Sequence, residues 1–283
     1  MEKNNYQLSI INYQLSMDGL ALAIGNSRLH WGWFHHRSLA ATWDTPHLSD
    51  SVAERLMAGG FAPDLWPPGI EGLPSLANHP ELYIASPVKS QLQLWQQYQY
   101  AKVITTREVP LAGTYPTLGV DRALALLGAG NRWGWPVLVV DAGTALTFTG
   151  GDASGRLVGG AIVPGLGLQL RSLREKTAAL PLVELPEPKA GVAFPLPQRW
   201  ARDTPGAIHS GVIYTVLAGL RDFIQAWWQQ FPHSRVVFTG GDRQALWAYL
   251  QAQSPEMAVL AHLDPHLIFW GLSLVMGQLT IDN

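Results

Sequence analysis

The chain contains no cysteine, which excludes disulfides, a thiolate metal centre and a cysteine nucleophile together. That suits a reducing cytoplasm. No run approaches the ~18 apolar residues that would span a bilayer. The start has neither the basic segment nor the apolar centre of a secretory signal. Charge is scarce, at 14% of residues, and nearly balanced at a net −2. A surface without basic excess does not coat polyanions, so nucleic acid is not its main ligand. No Ser/His/Asp elbow, Walker loop or GxGxxG dinucleotide fingerprint occurs. With 283 residues, 47% of them hydrophobic, the chain fits one large domain or two of ~140 residues, with a sizeable core.

What is present is a strand that ends in a small-residue hairpin, and it occurs twice. Residues 137–149 read VLVVDAGTALTFT, and residues 20–32 read LALAIGNSRLHWG. In each, an apolar run meets a glycine flanked by hydroxyl or amide side chains, and alternating apolar residues follow. Such a turn presents backbone N–H groups with no bulky side chain in the way, as a phosphate requires. Asp141 in the later copy corresponds to Ala23 in the earlier one.

Around these hairpins the pattern predicts strands at 20–24, 29–34, 81–85 and 102–104, with helices at 49–58, 91–98 and 121–129. The second half predicts strands at 137–141, 145–149, 157–163 and 235–238, with helices at 207–228, 243–251 and 265–279. Proline-rich residues 181–205 predict a loop. Strands first, then alternating helix and strand, performed twice, is an α/β architecture with a mixed sheet in each half. The expected division is 17–134 and 135–283, after an extension at 1–16 expected to be disordered. That extension repeats NYQLS at 5–9 and 12–16, which suggests a duplicated coding segment ahead of a start at Met17.

Candidate chemistry lies at the ends of these elements. Asp141 at a strand end points into the crevice where open α/β sheets gather ligands, or it braces its own turn. Thr144 can donate to a phosphate oxygen. Asp121 precedes a helix, where it is a base for a substrate hydroxyl or a helix cap. Arg122 beside it suits a bidentate grip on an anion, or a solvated first turn. Gly240 and Gly241 either admit a flat ligand or make a plain strand-to-helix turn. His35 and His36, adjacent in an expected strand, point apart, and Pro265 disfavours the helix that would align His262 with His266. The twelve tryptophans are spread as core and interface filler rather than gathered as a cofactor box.

Taken together, these residues resemble the type III pantothenate kinases of the actin-like sugar-kinase superfamily. The resemblance runs from about Leu20 to Leu279. It is carried by Gly25-Asn26-Ser27, Gly119-Val120-Asp121-Arg122, Asp141-Ala142-Gly143-Thr144-Ala145, Gly159-Gly160-Ala161-Ile162-Val163-Pro164-Gly165, Thr204 ahead of Gly211, and Thr239-Gly240-Gly241. It implies two actin-like, ribonuclease H-like half-domains with the active site in the cleft between them. It also implies transfer of the γ-phosphoryl of ATP to the primary hydroxyl of pantothenate, the first step toward coenzyme A. By motif, Asp121 is the general base. Tyr115, Gly119, Val120, Arg122 and Thr204 hold pantothenate. The hairpin Ala23-Ile24-Gly25-Asn26-Ser27-Arg28-Leu29-His30, with Thr144, Gly240 and Gly241, holds ATP. Asp141 matches a monovalent-cation site for K+ or NH4+, and Mg2+ accompanies ATP. A cytoplasmic homodimer is implied.

The chain departs from that pattern at Ala23, where the family carries an Asp close to the magnesium and the transferring phosphate. A methyl group ligates nothing. Asp18 stands at the opposite end of the expected strand, five residues away at ~3.3 Å each. This departure sets a working kinase against a non-catalytic nucleotide- or pantothenate-binding relative, with a kinase of another small alcohol as a further alternative.

Overall fold

A computed structural model of the chain describes residues 18–70, 73–74, 76, 79–186 and 195–281. The repeat at 5–16 and the extension at 1–16 lie outside the described residues. The contacts divide the chain into two compact units, Met1–Gly128 with Ile268–Asn283, and Ala129–Leu267.

The first unit is built on a five-stranded sheet of order β3-β2-β1-β4-β5. Its strands are β1 (Gly19–Ile24), β2 (Leu29–His35), β3 (Ser38–Thr45), β4 (Leu82–Ala85) and β5 (Ala101–Ile104). The first three form an antiparallel meander, and β4 and β5 run parallel to β1. Helices α1 (Asp50–Ala58) and α2 (Lys89–Trp95) supply the crossovers. Every residue of β1 is buried, as expected of a strand covered on both faces. Its Leu20, Leu22 and Ile24 join a core dominated by Trp31. Trp66 and Trp95 meet that ring edge-on at 4.9 and 5.0 Å, and Trp43 lies parallel to it at 6.4 Å. These tryptophans are core filler, as their scatter along the sequence suggested.

The other face of β1 and β2 carries Gly19, Ala21, Ala23 and Gly32. A Cβ at Gly32 would come within 2.9 Å of Phe269, on the helix α8 (Leu267–Ile281). Helix α3 (Val120–Trp133) lies against the same returning helix. There, a Cβ at Gly271 would fall on the carbonyl of Leu124. The division expected from sequence kept 265–283 with the second half. The close glycine-mediated packing of α8 groups it with the first unit instead.

The second unit repeats the plan: a five-stranded sheet of order β10-β9-β6-β7-β8. It contains β6 (Val137–Ala142), β7 (Ala145–Gly151), β8 (Leu157–Pro164), β9 (Arg235–Thr239) and β10 (Ala261–Leu263). Again three antiparallel strands precede two parallel ones. Helices α4 (Leu166–Lys176), α5 (Thr204–Gln230), α6 (Arg243–Gln253) and the short α7 (Pro255–Ala258) complete the unit. Apolar residues of α5 and α6 pack on Leu138, Val140 and Phe238. Residues 187–194 of the expected proline-rich loop lie outside the described residues, and what is described around them is neither helix nor strand until Thr204. Two ribonuclease H-like halves of matching strand order are the actin-like architecture that the resemblance implied.

Candidate functional site

Ala23 and Asp141 each stand two residues before the turn glycine, on the central strand of their sheets. Ala23 pairs with Ala85 on one side and His30 on the other, and His30 pairs with Asp44. Asp141 pairs with Thr239 and with Thr147, and Thr147 pairs with Ile162. Directly paired residues share a sheet face, so each hairpin carries one transverse row. The rows are Ala85–Ala23–His30–Asp44 in the first unit and Thr239–Asp141–Thr147–Ile162 in the second. The correspondence of Ala23 with Asp141 is therefore a fact of topology.

In the first unit the turn closes when Gly25 N–H donates to the Arg28 carbonyl at 2.9 Å, leaving Asn26, Ser27 and Arg28 exposed. His47 Nε2–H donates to the Gly25 carbonyl at 3.0 Å. His30 Nδ1 lies 2.7 Å from Asp44 Oδ1. Ala23 is buried, and Ile24 and Leu29 pair across the hairpin and enter the core. With a buried methyl group at the centre of the row, this hairpin does not fit a divalent ion held by a protein carboxylate.

Also in the first unit, α3 begins at Val120. Asp121 consequently lies inside the first turn, where the helix dipole favours a carboxylate, rather than at the cap. A Cβ at Gly119 would collide with Asp121 Oδ1, so the glycine leaves room for the carboxylate to fold back over the helix start. Arg122 is buried, and its Nη1 donates to the hydroxyl of exposed Tyr115 at 3.2 Å. Tyr115 borders an open depression of about 270 Å3 shared with Thr106, Arg107, Thr114 and Pro116. The structure thus joins Tyr115, Gly119, Val120, Asp121 and Arg122 in one neighbourhood.

In the second unit, two glycine turns close over the end of β6. Gly165 N–H donates to the Thr144 carbonyl at 2.9 Å, and a Cβ there would fall on the Gly143 carbonyl. Gly240 has φ +87, and its Cβ would meet Asp141 Oδ1 and the Ala142 carbonyl. Asp242 N–H then donates to the Ala142 carbonyl at 2.8 Å. Gly240 is therefore explained by backbone approach, whereas Gly241 is exposed and faces open space. Asp141, flanked in its row by two threonines, offers oxygen donors of the kind a hard cation takes. Thr204 is the first residue of α5, whose cap Asp203 accepts the Gly206 N–H at 2.7 Å. A separate depression of about 180 Å3 around Trp133 and Arg235 lies at the other end of β6 and β9.

Sequence reasoning missed Asp242. Burial pushes its carboxyl above the usual range, against the opposing pull of Arg171 and the Gly167 N–H. The acid directly after the Gly240-Gly241 pair was the available signal. The reading of His35 and His36 as diverging is corrected. β2 ends at His35, and His36 has φ +47, so the rings approach to 4.0 Å and meet Asp18. Asp18 accepts the His36 N–H at 3.0 Å and faces His35 Nδ1 at 3.1 Å. Asp18 lies beside the start of β1, away from Gly25, as expected.

The model of the family described as type III pantothenate kinase matches residues 19–226. A type III pantothenate kinase of Nostoc sp. (strain PCC 7120) is 49% identical over 264 residues, covering 91% of this chain and 94% of that one. One from Synechocystis sp. (strain PCC 6803) is 43% identical over 256 residues, covering 90% and 89%. Among solved structures, a Baf family transcriptional activator from Campylobacter jejuni superimposes with a TM-score of 0.57 at 18% identity, covering 92% and 98%. That likeness speaks to the fold alone. With the family model spanning most of the chain and relatives aligned nearly end to end, the chain belongs to the type III pantothenate kinase family.

Proposed function

We propose that this chain transfers the γ-phosphoryl of ATP to the primary hydroxyl of pantothenate, with Asp121 as the general base. As a member of its family it is a kinase that uses ATP and a divalent metal. The observation that carries the residue assignment is the start of α3, where Asp121 stands in the first turn and Arg122 bonds Tyr115, which borders an open depression. Phosphoryl transfer rests on positioning and on neutralising charge around the γ-phosphate. A primary alcohol loses its proton late and with difficulty, so a carboxylate within reach accepts it as the P–O bond forms. Arg122, buried and held by Tyr115, is pre-aimed to grip the substrate carboxylate. Gly119 and Val120 line that grip, and Thr204, at the start of α5, is a further substrate contact by family motif.

The exposed turn at Asn26, Ser27 and Arg28 takes the nucleotide phosphates, and Thr144 and the open backbone of Gly241 are nucleotide contacts of the second unit by family motif. Asp141 would hold the monovalent cation, K+ or NH4+, which supplies fixed positive charge beside the phosphates when bound. We also propose a cytoplasmic homodimer. No helix among the described residues is long and apolar enough to cross a membrane. The relatives, named as kinases, do not favour the non-catalytic alternative raised by Ala23.

The test is ADP release with ATP, magnesium and potassium, with and without pantothenate. Pantothenate-dependent release is expected. Asp121→Asn is expected to keep the wild-type melting profile and to lose ~10²-fold or more in turnover. Near-normal turnover in that variant removes Asp121 from the mechanism. Size-exclusion chromatography showing an active monomer would contradict the dimer.

A further inference from the structure

The transverse row of the first hairpin is not empty of charge; its charge has moved sideways. We propose that His30, oriented by Asp44, donates from Nε2 to a terminal phosphate oxygen of the bound nucleotide, supplying at this hairpin the contact that Ala23 cannot. The proposal rests on the reading of the Gly25 turn as the nucleotide-phosphate site.

Four observations converge on it. First, His30 is the direct cross-strand partner of Ala23, which sets its Cβ only ~4.5–5.5 Å from the methyl group and on the same sheet face. Second, Asp44 is the next partner in the row and approaches His30 Nδ1 to 2.7 Å. A carboxylate accepts only, so Nδ1 carries the proton and the ring is fixed with Nε2 as its outward atom. Third, His30 Nε2 lies 3.7 Å from the point where a Gly25 Cβ would stand. The outward nitrogen therefore sits at the turn itself, and the missing side chain at Gly25 leaves its approach clear. Fourth, His47 ties back the Gly25 carbonyl at 3.0 Å, restraining the atom of that residue that would repel a phosphate.

The pair is about half exposed, at 42% for the His30 side chain and 50% for Asp44. An ion pair so placed adds little to stability in water. With Nδ1–H on Asp44, a bond from Nε2 to a phosphate oxygen requires an N–H at both ring nitrogens. Such charge-assisted bonds are about twice as strong as neutral ones. His30 touches the ligand; Asp44 is a positioning residue.

The test compares calorimetric binding of ADP and of a non-hydrolysable ATP analogue, both with magnesium, and follows the His30 ring by 15N NMR in the wild-type chain. The ring nitrogens are expected to move to the doubly protonated pattern on adding the analogue, and to move much less with ADP. His30→Gln is expected to weaken the analogue ~10-fold or more while changing ADP less than ~2-fold. Asp44→Asn is expected to weaken the analogue less than His30→Gln does. Adding Ala23→Asp to Asp44→Asn is expected to restore the imidazolium signal, since residue 23 faces the same ring. Unmoved His30 signals, or equal loss of both nucleotides in His30→Gln, overturn the proposal. Pantothenate-dependent ADP release with an unmoved ring would sink this inference alone. A responsive ring without ADP release would support it and sink the assigned turnover.

Discussion

The neighbouring glycines 240 and 241 give the same signal in sequence and should behave oppositely when substituted. At Gly240 an alanine must adopt φ +87, and its Cβ must share space with Asp141 Oδ1 and the carbonyl of Ala142. The backbone strain costs about 1–3 kcal/mol, and forcing a methyl group against a main-chain carbonyl adds about 1–3 kcal/mol. The carbonyl cannot swing aside, because Ala142 O already accepts the Asp242 N–H at 2.8 Å. A total of about 2–6 kcal/mol should lower the melting temperature by about 5–20 °C for units of this size. At Gly241 a Cβ meets nothing within 4 Å, so Gly241→Ala should melt within about 2 °C of wild type, by the ordinary scale of surface substitutions. If residue 241 borders the nucleotide, it should nevertheless lose ATP affinity. Thermal melts of both variants, with ATP titrations of the stable one, read these outcomes. A Gly240→Ala protein as stable as wild type would refute the clash, and a strongly destabilised Gly241→Ala would refute the open space.

Three further expectations follow from other residues. Burial holds the Asp242 proton more tightly in the folded chain than in the unfolded one, so stability should fall as pH rises from the normal carboxylate range through the raised value. Asp242→Asn should then melt higher than wild type at pH 7–8, with the gain vanishing under acid; an unchanged difference across pH would contradict it. Asp264 is buried and takes bonds from Arg132 Nε at 3.1 Å, Trp133 Nε1 at 3.2 Å and the His266 N–H at 2.9 Å. Asp264→Ala should therefore cost about 2–4 kcal/mol in a urea titration, and a loss below about 0.5 kcal/mol would show that these bonds are idle. Arg122→Lys removes the planar fork held by Tyr115. It should raise the KM for pantothenate ~10-fold or more with a smaller change in kcat, and an unchanged KM would take Arg122 out of substrate binding.

The doubled hairpin was legible because Gly25 and Gly143 punctuate strands whose alternation is strongly apolar. Strand β3 was not, since a bulge opposite Trp33 and Phe34 breaks its alternation, and Ala41 and Trp43 face the core between Ala40, Thr42 and Asp44 with little hydrophobic contrast. Because β3 went unread, Asp44 could not be set beside His30. Helix α4 carries no prediction in the sequence pattern because Pro164, Gly165 and Gly167 crowd its start, although Gly165 serves there as the cap. Gly211 and Gly219 lie within α5, and both face open space on an unbroken helix. Local periodicity located α8 but not its packing partner, because a return across more than a hundred residues leaves no local trace.

That return bears on the order of events while the chain is being made. The second unit is one uninterrupted stretch, Ala129–Leu267, whereas the first needs Ile268 and the residues after it to cover the small-residue face of β1 and β2. Domains usually fold from the N-terminus as they leave the ribosome. Here the later stretch can finish first, while the earlier sheet waits with Gly19, Ala21, Ala23 and Gly32 uncovered until α8 emerges.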